Sequence, residues 1–132
     1  ILCNLSNSQR MLAGDRRMVG SVWKGSADYD SDNCKFRVHD RGNGRVVLEA
    51  VNGKGFVTVA GLGMSGDLRL TERENEDCLF MWQDMLHHQC MLMSLKTMRY
   101  VGLDPASGEP YAADWAGTSA SRMSGTVLRW EE

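Results

Sequence analysis

Proline is scarce in this 132-residue chain, with two occurrences, and no segment is low in complexity. With 42% hydrophobic and 24% charged residues, that composition suits a folded globular chain and excludes intrinsic disorder. No apolar run approaches the ~18 residues a membrane-crossing helix needs, so membrane insertion is not expected. An excess of positive charge is also missing. The formal net charge of -2 argues against a general nucleic-acid or membrane-surface binder. The four cysteines, Cys3, Cys34, Cys78 and Cys90, form no CxxC pair or tight cluster. Reduced, buried thiols are the simpler reading, because an unbonded cysteine behaves as a small hydrophobe. The sequence holds no GxSxG, no HExxH and no phosphate-binding glycine loop, and Gly61-Leu62-Gly63 reads as a hairpin turn. Convincing helical periodicity is absent too.

What the chain does have is an internal repeat, which outranks any single motif. Asn33 to Asp40 alternates apolar and polar residues, and Asp77 to Asp84 repeats the order 44 positions later. Cys34, Phe36 and Val38 share one parity of the first segment, and Cys78, Phe80 and Trp82 share it in the second. Thr126 to Trp130 is a third copy, with Leu128 in the Phe slot and Trp130 in the Val/Trp slot. Gly55 to Val59 is echoed by Arg99 to Leu103, with Arg10 to Ala13 as a weaker first copy. Arg45 to Val51, Cys90 to Leu95 and Ile1 to Cys3 make a further set. Gly42-Asn43-Gly44, Asn52-Gly53, Ser65-Gly66 and Ser107-Gly108 supply turn residues between them. The segment Glu72 to Leu86 could suit a helix, yet Cys78 to Trp82 matches a strand elsewhere in the chain, so a strand is expected.

These pieces predict an all-β single domain of about twelve short strands in three units, roughly residues 1–44, 45–88 and 89–132. Units too small to bury their own faces join most simply as a pseudo-threefold barrel capped by hairpins, the β-trefoil. Closure removes sheet edges. A three-bladed propeller would be unusually small. Alternation predicts a core of Leu12, Met18, Phe36, Val38, Val47, Phe56, Val57, Leu68, Phe80, Trp82, Leu92, Tyr100, Val101, Leu103, Leu128 and Trp130. Cys34 and Cys78, at threefold-related positions, should sit too far apart for a bond.

Gly66 to Leu70 followed by Glu76-Asp77-Cys78-Leu79-Phe80 resembles the signature of fibroblast growth factors, and Arg99 to Leu103 looks like that family's aromatic-Val-Gly-Leu strand. Ile1 to Cys3 with Asp15 to Ser21 is similar to its opening strand pair. The resemblance implies a β-trefoil and a non-enzymatic recognition protein that binds a protein partner, such as a receptor, through its surface loops. Trp82 stands where the family has Glu or Gln. Relatives bind heparan sulfate through a basic stretch after the aromatic strand. Here Tyr100 to Ser121 has no Lys or Arg, so heparin binding there is not expected. Phe36 to Asp40 with Gly44 to Lys54 also resembles the units of fascin-type actin-bundling proteins, which implies actin as an alternative partner. A secreted location is slightly favoured over a cytoplasmic one. The chain opens on Ile1, which leaves a processed N-terminus and a trimmed piece both open. Asn4-Leu5-Ser6 would be a glycosylation site only in a secreted protein.

Candidate site residues are few. His87, His88 and Cys90 could ligate a metal, but a closed site needs four ligands, and histidines in a hairpin are ordinarily solvated. A Cys34–His39 nucleophile would need an accessible thiol, whereas Cys34 is expected inward. Asp28-Tyr29-Asp30-Ser31-Asp32 lacks the glycine and distal Glu of a calcium loop and reads as a turn. No catalytic residue, metal or cofactor is therefore expected. The most suggestive surface segment is Tyr111 to Gly117, where Tyr111, Asp114 and Trp115 could hold a sugar by hydrogen bonds and ring stacking. That makes a glycan-binding trefoil lectin a further alternative, although the Gln-x-Trp motif of ricin-type lectins is absent.

Overall fold

The computed structural model describes the backbone of residues 2–6, 9–13, 18–23, 31–60, 67–103, 110–113 and 127–131, and the side chains of residues 31–59, 68–103 and 127–131. Twelve strands run through these segments: β1 (Leu2–Ser6), β2 (Gln9–Ala13), β3 (Met18–Trp23), β4 (Phe36–Asp40), β5 (Arg45–Ala50), β6 (Phe56–Ala60), β7 (Asp67–Thr71), β8 (Phe80–Asp84), β9 (Gln89–Ser94), β10 (Tyr100–Leu103), β11 (Pro110–Ala113) and β12 (Leu128–Glu131). All their pairings are antiparallel.

Six strands close a barrel in the cycle β1-β4-β5-β8-β9-β12 and back to β1. The remaining six form three hairpins, β2–β3, β6–β7 and β10–β11, each joined to the barrel through its first strand. Strands β3, β7 and β11 meet one another at the capped end. This is the β-trefoil topology, and its register is threefold as well. Cys3 opposes Phe36, Val46 opposes Phe80 and Cys90 opposes Leu128. A one-residue slip in any unit would turn that unit's apolar set outward, so burial pins all three registers.

The core follows the period-two pattern. Phe36, Phe80 and Leu128 are 0% exposed and form one layer of the barrel. Burying each such side chain stabilises the fold by about 1.5–3 kcal/mol. Val46, Leu48, Ala50, Cys90 and Leu92 reach the same core from β5 and β9, and Val57, Val59, Leu68, Leu70, Val101 and Leu103 extend it under the hairpins. The structure corrects the predicted core in two ways. Phe56 and Tyr100 are half-buried, because β6 and β10 turn Val57, Val59, Val101 and Leu103 inward and these two residues have the other parity. Val38, Trp82 and Trp130 pack against the core but are only half-buried, because they form its outermost layer. Leu12 and Met18 lie outside the described side chains.

Cys34 and Cys78 are inward as expected, but not as strand residues. Each ends a 3-10 turn, Asp32–Cys34 or Glu76–Cys78, and the strand begins two residues later. Matching backbone bonds, Cys34 N–H to Ser31 O and Cys78 N–H to Asn75 O at 3.0 Å, tighten the two turns. Burial is the main cause that pushes the Cys78 thiol above its usual pKa, so it stays protonated and unreactive. Cys34, Cys78 and Cys90 form no disulfide, and all three are buried.

Two equivalent turns join barrel strands at the end opposite the cap. In Gly42-Asn43-Gly44, between β4 and β5, all three residues have positive φ (83°, 55° and 78°). Leu86-His87-His88, between β8 and β9, repeats that backbone at 66°, 52° and 60° without a glycine. Left-handed backbone disfavours a side chain. Leu86 is 68% exposed, so its side chain gains little packing in return. Leu86→Gly is therefore expected to stabilise the fold by about 0.5–1 kcal/mol, after allowing for the looser unfolded chain. Urea unfolding checks it: the midpoint should rise at unchanged slope.

Candidate functional site

Strands β4, β8 and β12 carry Val38, Trp82 and Trp130 at equivalent positions at the open mouth of the barrel, one layer outside Phe36, Phe80 and Leu128. Two of the three are indoles. Their rings meet edge to face, with centroids 6.2 Å apart and planes at 64°. The third position holds a much smaller side chain, which leaves space beside the tryptophans.

The turns decide which side of that space stays open. Trp130 donates its backbone N–H to the carbonyl of His88 at 2.8 Å, and the His88 ring lies over the indole with centroids 4.7 Å apart. Trp82 makes the equivalent bond, donating to the carbonyl of Gly44 at 2.9 Å. Gly44 has no ring to lay over it. With valine at one symmetry position and glycine at the other, a cavity of about 530 Å³ opens there. Val38 and Val46 line it from the core side, Trp82 and Trp130 from the other units, and Asp40 with Gly42, Asn43 and Gly44 from the rim. That volume lies within the roughly 300–1,000 Å³ of small-molecule sites.

The rim is held from outside the cavity. Asp40 Oδ1 accepts the Gly42 N–H at 2.8 Å, which orients the carboxylate. Arg45 Nε donates to the Gly42 carbonyl at 3.1 Å. Arg41 Nε donates to Glu74 Oε2 at 3.0 Å, tying the turn to the segment before β8. The hydrogen bond from Arg41 is the main cause that holds the Glu74 carboxyl below its ordinary pKa. This brace is present above the unfolded carboxylate pKa and is lost as pH falls through the lowered value. The buried indole N–H of Trp130 has no partner among the described residues.

Chemically, the cavity offers apolar walls, two indole rings, one fixed carboxylate, one side-chain amide and turn backbone. Asp40 is the one titratable residue lining it among the described residues. No nucleophile and base converge on it there. His39, the other histidine weighed from the sequence, bonds Glu49 through Nε2 at 2.9 Å. His87 and His88 do lie in the β8–β9 turn, but Cys90 is 0% exposed in the core, so the three do not converge. Asp32 opens a 3-10 turn, while Asp28, Tyr29 and Asp30 lie outside the described residues. Tyr111 sits in β11, opposite Gly102 of β10. Its side chain, and the whole of Asp114 and Trp115, lie outside the described residues. Sequence reading places Val38, Trp82 and Trp130 in the core and so misses them as a site. The sign that could have singled them out is Val38 and Gly44 standing where the other copies have Trp and His.

No protein-family model matches the sequence, and no curated protein matches it. Solved structures do. A designed threefold-symmetric protein, ThreeFoil, matches with a TM-score of 0.78 and 12% identity over 99% of this chain and 98% of that one. Polyporus squamosus lectin, solved with the human-type influenza-binding epitope Neu5Aca2-6Galb1-4GlcNAc, matches with a TM-score of 0.75 and 10% identity over 99% of this chain. The chain spans about half of that lectin, 48% of its length. At such identities the likeness concerns the fold alone, and it agrees with the barrel and hairpins described above: the chain is a β-trefoil.

Proposed function

We propose that the protein is a non-enzymatic recognition domain that binds carbohydrate at the barrel mouth. The observation that carries this reading is the open cavity between Gly44 and the two tryptophans. A pyranose has apolar C–H faces and a ring of hydroxyls. Indole faces suit the first, and a fixed carboxylate with a neighbouring amide suits the second. The lack of a nucleophile–base pair among the described residues of the cavity supports binding without turnover. The trefoil likeness to a glycan-bound lectin is consistent with this reading.

The growth-factor likeness ranks lower once its residues are placed. Cys78, Phe80, Val101 and Leu103, which carry it, are buried. A motif made of buried residues speaks for the fold, not for a surface that meets a receptor. The fascin likeness has the same weakness, since Phe36, Val46, Val47, Leu48 and Ala50 are buried.

A glycan array followed by tryptophan-fluorescence titration tests the proposal. Binding should occur, and Trp82→Ala should weaken it at least about tenfold, as expected for loss of a central aromatic contact. Val38→Trp, which places in unit one the residue found in the other two, should block the cavity and abolish binding. If Trp115→Ala removes binding while Trp82→Ala leaves it intact, the site is the Tyr111, Asp114 and Trp115 segment instead. An array with no binding ends the carbohydrate reading.

A further inference from the structure

Resting on the carbohydrate reading, we infer that the barrel-mouth site selects a ligand bearing a positively charged nitrogen, an amino sugar, over neutral or acidic sugars. Among the described residues, the lining contains one carboxylate, Asp40, and no Lys, Arg or His. The neighbouring arginines make their hydrogen bonds elsewhere, and Arg41 acts on the Asp40 carboxylate through charge alone. Arg41 is bound to Glu74 and to the Asp40 carbonyl, and Arg45 is bound to the carbonyls of Gly42 and Arg41. The Asp40 carboxylate is thus oriented by a backbone N–H and has no guanidinium against its side-chain oxygens among the described hydrogen bonds.

The walls add to this preference. An indole face carries partial negative charge and attracts a cation placed over it. Trp82 and Trp130 touch edge to face and both line the cavity, so a group in it lies beside both indoles. Apolar neighbours Val38 and Val46 close the core side, while Asp40 stands exposed at the rim, where it can meet a charged group on the ligand. A sugar carboxylate placed here would face the Asp40 carboxylate, with no Lys, Arg or His in the described lining to pair with it. A neutral sugar would gain the stacking but not the charge pairing.

The test is a fluorescence titration of the full chain with glucosamine, N-acetylglucosamine, glucose and choline, at a pH where the glucosamine amine is protonated. Glucosamine is expected to bind about tenfold more tightly than N-acetylglucosamine or glucose, the scale of one well-placed cation–aromatic contact. That ratio should collapse in Asp40→Asn, and it should shrink when the pH is raised past the amine's pKa. The amide oxygen introduced by Asp40→Asn can still accept the Gly42 N–H, so the turn should persist, which circular dichroism checks. Equal or tighter binding of the neutral sugars overturns the inference and leaves the carbohydrate reading standing. Binding of choline alone, lost in Trp82→Ala, overturns the carbohydrate reading and upholds the charge preference. Binding of none of the four overturns the inference, while the glycan array decides the carbohydrate reading.

Discussion

Gly55→Ala is expected to destabilise the fold by about 4 kcal/mol, among the largest effects of any single change in the described residues. Gly55 precedes β6 at a φ of 125°, a conformation that side chains rarely adopt. A Cβ there would come within 2.8 Å of the Thr71 carbonyl carbon and closer still to its oxygen. That obstacle is backbone of the paired strand β7, whose Thr71 opposes Phe56. Relief would require separating β6 from β7 and breaking the Ala50 N–H to Gly55 carbonyl bond of 2.8 Å. Gly53 provides the control. Its φ is 82°, but a Cβ there would meet nothing within 4 Å. Gly53→Ala should therefore cost only about 1 kcal/mol of conformational strain. Urea unfolding of the two variants separates steric overlap from backbone preference. Equal midpoints would show that the close approach to Thr71 does not limit the turn.

Phe80→Ala should cost about 3–5 kcal/mol, the usual range for emptying a buried aromatic site. Phe80 is 0% exposed, opposes Val46 across the barrel strands, and pairs with Ser94 of β9 on its other side. Barrel closure leaves no free edge toward which the strands could collapse, so the cavity should persist. Phe80→Leu should be far milder, about 1 kcal/mol, because Leu128 fills the equivalent slot in the third unit and is also fully buried. If leucine proved as costly as alanine, the three slots would not be interchangeable, and the threefold description of the core would fail in energetic terms.

Much of the fold was legible because strand alternation and repetition are local properties. Phe36 and Phe80 sit in matched patterns, and each pattern needs only its own few residues to be read. The same holds between Asn33 and Asp77 or Asn52 and Lys96, 44 positions apart. Asn52 donates to Asn33 at 2.8 Å, and Lys96 donates to Asp77 at 2.8 Å, so one tertiary contact is built twice with different chemistry. The first unit was harder to read. Its first two strands join Ser6 to Arg10, whereas the later units join Glu49 to Phe56 and Met93 to Tyr100, so a shorter turn breaks the spacing. The 3-10 turns before β4 and β8 were missed because a cysteine two residues ahead of a buried phenylalanine fits an alternating strand equally well.

The sequence by itself determined the trefoil, its strands and most of its core, because burial demands the same parity in all three copies. It also showed where the copies differ, at Val38 against Trp82 and Trp130, and at Gly44 against His88. Only the tertiary structure decided that those two differences meet in one cavity. Val38 and Gly44 come from the first barrel hairpin, Trp82 from β8 and Trp130 from β12, and only closure of the barrel brings them together. A site made from departures from symmetry leaves no mark on any one repeat. It exists only when the repeats are arranged around their common axis.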